Sequence, residues 1–230
     1  ILSGLVGSEM CIRDRCEGLE GRGEIARWIS EHRQDLAAPY NSSLKYRHAK
    51  VPMQAQLPWD AEPIEQDDAF CAYLERRGLS YIHAMLFDMR RCTDGRYRNR
   101  IVVPIREEGE LAYFFDRSID PSVERKTLGV GTHDAYWPVK KSTIVFNLDL
   151  AHQYVENGGK RVVIAEGIFS ALSMGTENVV ATLGKGVSHA QIHKIVHIGA
   201  PELEVCFDPD AAEEAVRLAE TLYGYGFRVF

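Results

Sequence analysis

Val162-Val163-Ile164-Ala165-Glu166-Gly167 and, further along, Leu203-Glu204-Val205-Cys206-Phe207-Asp208-Pro209-Asp210 are two short apolar runs that each end on carboxylates. Continuous apolar runs of roughly four to eight residues between turn formers read as strands buried on both faces. From Arg161 to Val229 the text alternates strand and helix. It predicts helices over Ile168 to Met174, over Ser188 to Ile198 with Ser188 as cap, and over Ala211 to Tyr223. Strands are predicted at Val179 to Thr182 and from Phe227 onward. Such alternation with short connections implies a parallel sheet with crossover helices. Ligands of open parallel sheets bind beyond the carboxyl ends of the strands, where Glu166, Asp208 and Asp210 fall.

Upstream the period changes. Arg100-Ile101-Val102-Val103-Pro104-Ile105 reads as a strand, Glu108-Gly109 as a turn and Leu111 to Phe115 as the hairpin partner. Before it, Glu65 to Arg77 patterns as a helix stopped by Gly78, and Tyr81 to Met89 as a second. Glu24 to Arg33, with Ile25, Trp28 and Ile29, has the spacing of a short amphipathic helix, and the proline-bearing text from Pro39 to Pro63 reads as linker. Ser118 to Lys141 is loop-like. Thr143 to Phe146 forms a short strand or turn, and Asn147 is placed to cap a helix through Val155 that Gly158-Gly159 ends. The expected organisation is a leader over 1–15, an irregular region over 16–64, a mixed α+β basic subdomain over 65–157 and an α/β domain over 158–230. The leader segment, Leu5 to Arg15, has the look of translated adapter sequence, and Ile1 and Phe230 read as the cut ends of a fragment.

The 230 residues, 45% of them hydrophobic and 26% charged, describe a globular chain with enough material for a real core. No run approaches the ~18 apolar residues of a membrane span, and no secretory signal is visible. Five cysteines without a C-x-x-C pair exclude a zinc ribbon and fit a reducing, cytoplasmic compartment. A net charge of -6 argues against a protein that coats DNA, yet eight arginines crowd the stretch from Arg76 to Arg106 against Asp88 and Asp94. A basic front and an acidic back suit a polyanion held near a metal ion; solvated faces would give the same count.

Three carboxylates close together repel unless a cation relieves them. Mg²⁺ takes one or two carboxylates together with phosphate oxygens and water, which suits phosphoryl or nucleotidyl transfer. Gly167 would permit close approach to the Glu166 turn. The competing reading is local: Asp208 before Pro209 has the form of a helix cap, and Asp210 with Glu213 the spacing of a capping box. His193 and His197, at i and i+4 without a third ligand, read as helix-face residues.

The order Val163 to Phe169, Ala181 to Gly184 and Cys206 to Ala212 resembles the TOPRIM domain shared by bacterial-type primases, topoisomerases and some nucleases. With Gly95 to Ile105, Arg117, Lys126-Thr127-Leu128 and Lys140-Lys141-Ser142 before it, the text is similar to the core of bacterial and phage DNA primases over about Ala69 to Phe230. The resemblance implies a TOPRIM-like parallel sheet with flanking helices after a basic α+β subdomain. It implies a nucleotidyltransferase that makes short RNA primers on single-stranded DNA from nucleoside triphosphates with Mg²⁺ or Mn²⁺, alongside a replicative helicase. Glu166 would be acid–base residue or metal neighbour, and Asp208 and Asp210 metal ligands. Arg100, Arg117, Lys126, Lys140 and Lys141 would meet nucleotide or template, with Gly167 and Gly184 in support. Two positions depart from the family pattern: Ser170 stands where its first motif carries aspartate, and Glu213 where a glycine follows the second acidic motif. A metal-dependent TOPRIM nuclease and an inactive module that binds DNA or a partner are the alternatives.

Overall fold

The computed structural model describes residues 56–66, 68–130 and 139–230. The leader, the helix expected over 24–33 and most of the linker lie outside them. Two four-stranded sheets carry the fold. The first is antiparallel, in the order β1 (Ala61–Pro63), β2 (Arg90–Cys92), β3 (Arg100–Glu107), β4 (Glu110–Ser118). Helices α1 (Ala69–Glu75) and α2 (Tyr81–Leu86) lie between its first two strands in sequence. The β3–β4 hairpin closes through Glu108 and Gly109, both at positive φ (54° and 80°), the turn whose twist matches paired strands.

The second sheet is all parallel, in the order β6-β5-β7-β8, from β5 (Arg161–Ala165), β6 (Val179–Ala181), β7 (Glu202–Cys206) and β8 (Arg228–Val229). Its helices are α3 (Leu148–Glu156), α4 (Ile168–Met174), α5 (His189–His197) and α6 (Ala212–Gly224). The chain leaves β5 through α4 toward one edge and leaves its neighbour β7 through α6 toward the other. The carboxyl ends of β5 and β7 therefore form the topological switch point, where an open α/β sheet leaves a crevice.

Alternation along β5 divides the interior. Val162 and Ile164 pack with Ala151, Ile192, Ile195, Leu218 and Leu222, from the helices α3, α5 and α6. Val163 and Ala165 face the other way, into a core that holds α4, α1 and the inward face of β3 and β4 through Ile101, Val103, Ile105 and Tyr113. The two sheets thus share one apolar layer. The far side of the antiparallel sheet is closed by a smaller cluster of Cys92, Tyr97, Val102 and Phe114.

Several local expectations are corrected. Ala61–Pro63, read as linker, is an edge strand, the one place in a sheet where a terminal proline costs no ladder bond. The second helix stops at Leu86, because Asp88 turns into the left-handed region (φ 49°) and Arg90–Cys92 joins the sheet. Of the short strand or turn expected over Thr143 to Phe146 it is the turn that forms, one step earlier, as a 3-10 turn over Lys141–Thr143 followed by a single bridge between Phe146 and Ala181. Asn147 precedes α3 at φ 67° and does not cap it; its amide donates to the carbonyls of Thr176 (2.7 Å) and Val179 (2.8 Å), stapling the entry to β6.

One buried ion pair fastens the long loop after β4. Arg100 and Asp116 are 5% and 0% exposed and meet at 2.9 Å. Arg100 also donates to the carbonyls of Arg125 and Lys126, while Asp116 accepts from the backbone N–H groups of Leu128 and Gly129. Removing one partner strands a buried charge, at a cost of about 3–5 kcal/mol. Asp116→Ala is therefore expected to lower unfolding stability by about that amount in urea denaturation, and an unchanged midpoint would contradict the role given to the pair.

Candidate metal centre

Glu166 is the first residue past β5, and Gly167 behind it starts α4 in an extended conformation (φ -116°, ψ 153°). Asp208 lies just past β7 and heads the 3-10 turn Pro209–Ala211, which carries Asp210 and leads into α6. Neither aspartate is spent as a cap: the side chain of Asp208 makes no cap hydrogen bond, and the cap position of α6 is Ala211. One carboxylate oxygen from each of Glu166, Asp208 and Asp210 lies within 4.8 Å of the others. Among the described residues no lysine or arginine closes a salt bridge on any of the three.

The electrostatics follow from this crowding. Partial burial pushes the Glu166 carboxyl above its usual range, and the charges of Asp208, Asp210 and Glu214 push the same way, with Lys185 opposing. Three converging oxygen donors, none ion-paired, match the chemistry of a hard divalent cation, so the donor set fits a metal of the Mg²⁺ type.

The loop after β6 braces the Glu166 turn. Thr182 N–H donates to the Ala165 carbonyl and Gly184 N–H to the Glu166 carbonyl, each at 3.1 Å. The Thr182 hydroxyl donates to the Gly184 carbonyl at 2.9 Å, and Leu183 between them is buried at φ 63°, a costly conformation for a bulky side chain. Gly184 stands at φ 156°, a conformation that side chains rarely adopt, and its Cα faces the Lys141 ammonium, 3.7 Å from where a Cβ would lie. Lys140 and Lys141, both exposed, line a groove of about 410 Å³ with Thr182, Gly184 and Gly186.

The other basic residues are placed unequally. Arg100 is withdrawn from any polyanion by its burial and its internal partners, and its guanidinium holds the loop instead. Lys126 is half-buried and donates to the Pro121 carbonyl at 2.7 Å. Arg117 shares its strand face with Phe115, whose ring meets Phe169 of α4 at 6.2 Å, and its Nε donates to the Tyr73 hydroxyl at 3.4 Å.

Sequence reasoning did not single out Arg77, which donates to the same hydroxyl at 2.8 Å and lies over the rings of Tyr73 (5.1 Å) and Phe169 (5.6 Å). Two guanidiniums without a carboxylate partner among the described residues thus converge on one phenol beside α4. The i, i+4 spacing of Tyr73 and Arg77 was the available signal. Lys185, which opposes the charge on Glu166, was also missed, since a lysine between two glycines reads as an exposed turn.

No protein-family model and no curated protein sequence matches the chain. Among solved structures, the DnaG catalytic core superposes with a TM-score of 0.57 at 20% identity, over 72% of this chain and 64% of that one. The RNA polymerase domain of Mycobacterium tuberculosis primase DnaG matches with a TM-score of 0.42 at 23% identity, over 66% of this chain and 54% of that one. The chain has the fold of the DnaG catalytic core, and it spans just under two thirds of that structure's length.

The raised carboxyl of Glu166 has a thermodynamic consequence. A group that is harder to ionise in the folded state favours the fold while protonated, and that contribution is lost as pH rises through its folded value. In a chelator, Glu166→Gln is expected to raise the thermal midpoint at pH 7 and flatten its decline between mildly acidic and neutral pH, an effect of about 1 kcal/mol or less at this exposure. Mg²⁺ should stabilise the parent chain more than the variant. A scanning fluorimetry series in which Glu166→Gln destabilises the metal-free protein would contradict the repulsion.

Proposed function

We propose that this chain is the catalytic core of a DNA primase, which joins ribonucleoside triphosphates into short primers on single-stranded DNA. The observation that carries the reading is the convergence of Glu166, Asp208 and Asp210 at the β5/β7 switch point, on a fold whose Lys140, Lys141, Arg77 and Arg117 have no salt-bridge partner among the described residues. In this reading Asp208 and Asp210 hold a Mg²⁺ or Mn²⁺ ion, and Glu166 completes the site or takes the proton of the attacking hydroxyl. A bound ion of this kind supplies charge neutralisation on the transferring phosphoryl group and polarises the attacking oxygen. Lys140 and Lys141 at the groove meet the polyphosphate end of the nucleotide, while Arg117 and Lys126 follow the template backbone, which each lysine or arginine neutralises locally. Arg77 joins them through its position beside Arg117. Arg100 has no place among them.

The coarser part of the reading, a nucleic-acid enzyme of this fold, is supported by the likeness to the DnaG core. A replicative helicase as partner, a cytoplasmic location and the division into a basic subdomain over 65–157 and an α/β domain over 158–230 belong to the same proposal. No helix among the described residues is long and apolar enough to cross a membrane.

Ser170 favours a second reading. It sits on the first turn of α4, where its hydroxyl lies 3.8 Å from the position a side chain on Gly167 would take. A serine there supplies no charge to the acidic cluster, as suits a module that binds nucleic acid without catalysis. Primer synthesis on single-stranded DNA with nucleoside triphosphates and Mg²⁺ decides between them. Glu166→Ala and Asp208→Ala are each expected to lower the rate by about 10²-fold or more, the scale of losing a transition-state charge contact. Unchanged rates would remove these residues from the chemistry. DNA cleavage without incorporation would point to a nuclease, and binding without Mg²⁺ dependence to the inactive module.

A further inference from the structure

Gln191, in the first turn of α5, is 1% exposed and uses its amide on three separate segments. Its Oε1 accepts from Ser188 N–H at 3.0 Å, which caps α5. Its Nε2 donates to the Ile144 carbonyl at 2.7 Å and to the Thr182 carbonyl at 2.8 Å, so both amide hydrogens are spent. Ile144 directly follows the turn that carries Lys141, and Thr182 opens the loop that braces Glu166. Ser188 adds a second tie by donating its hydroxyl to the Ser142 carbonyl.

The basic and acidic halves of the site therefore do not hold one another directly. Lys140 and Lys141 are exposed and have no carboxylate partner among the described residues, and Glu166 is ion-paired to neither. Their spacing is set behind the groove, where one buried amide joins the lysine-bearing turn to the loop under the carboxylate. A fully satisfied buried polar group of this kind fixes geometry more sharply than apolar packing, which is not directional.

We propose that Gln191 is a positioning residue: together with Ser188 it sets Lys140 and Lys141 at the distance from the acidic cluster that a triphosphate spans. This rests on the nucleotide-polymerising reading above and deepens it by assigning the groove to the polyphosphate rather than to the template. Gln191 touches no substrate in this account; it acts through the two backbone segments it joins.

The test uses this chain and two probes, Mn²⁺ alone, followed by electron paramagnetic resonance, and inorganic tripolyphosphate, followed by calorimetry with Mn²⁺ present. Gln191→Met keeps the bulk and removes all three hydrogen bonds. The expected result is Mn²⁺ affinity within about twofold of the parent and tripolyphosphate affinity reduced roughly tenfold, as befits displaced charges. Ser188→Ala removes the tie to Ser142 and the hydroxyl's cap on Gln191 N–H at 3.2 Å, while the side-chain amide of Gln191 keeps its partners; a loss of a few-fold in tripolyphosphate affinity is expected, and this variant decides the matter if Gln191→Met fails to fold. Parent-like tripolyphosphate binding in the folded variants would overturn the proposal. So would an equal fall in affinity for both probes, which marks general loosening, or a parent chain that does not bind tripolyphosphate. Failure of the primase reading looks different: the parent binds both probes, the variants lose the second, and no primer is made.

Discussion

The convergence of Glu166, Asp208 and Asp210 at one end of the parallel sheet is the constraint around which the rest is arranged. Two adjacent parallel strands whose connections depart in opposite directions leave a crevice, and each delivers a carboxylate to it. Among the described residues no internal ion pair relieves the charge at that point. The surrounding structure holds the carboxylates in place: Thr182 and Gly184 brace the Glu166 turn from one side, and Asp208 and Asp210 flank the start of a 3-10 turn on the other. A divalent cation bound between the three oxygens would turn their repulsion into attraction.

The antiparallel sheet can serve such a site only if its placement is fixed. The apolar layer shared by Ile101, Val103, Ala165 and Phe169 supplies cohesion but little directional control. Direction comes from the hairpin tip. Lys194 of α5 bridges both carboxylate oxygens of Glu107 at 2.6 and 2.7 Å, and Asp149 of α3 accepts from the N–H groups of Glu108 and Gly109 at 3.2 Å each. These contacts anchor one end of the hairpin to the parallel layer. At its other end Arg117 reaches Tyr73 and shares that hydroxyl with Arg77. The hairpin is thus a short lever, tied at its tip and carrying cations at its base.

The legible parts of this chain were those where a single local signal suffices. Every strand and helix from Arg161 onward could be read in order, because buried parallel strands are short, apolar and bounded by turn residues. The Ser188 capping box with Gln191 was half visible, as the cap and not as the hub. Ala61–Pro63 and Arg90–Cys92 were illegible for the opposite reason: three residues rich in charge or proline become strands only through their neighbours. Asn147 had the right identity for a cap and a different task, which only the nearby carbonyls of Thr176 and Val179 reveal. The acidic cluster could be read from strand ends alone, but whether its aspartates were caps or free donors could not.

The basic residues carry the more general lesson. Arg100 and Arg117 lie on the two strands of one hairpin and look equivalent in a charge count, yet they face different layers. Arg100 meets Asp116 in a dry interior, where an unpaired charge would be ruinous, and is therefore consumed by the fold. Arg117 projects toward the α4 side, where it donates to the hydroxyl of Tyr73, a phenol it shares with Arg77, rather than to a carboxylate. Among the described residues neither Arg77 nor Arg117 has a carboxylate partner, just as the three carboxylates have no paired cation. The fold thus keeps like charges together at two places, with opposite sign, and in the reading proposed above a metal ion answers the acidic one and the phosphates of the template backbone the basic one.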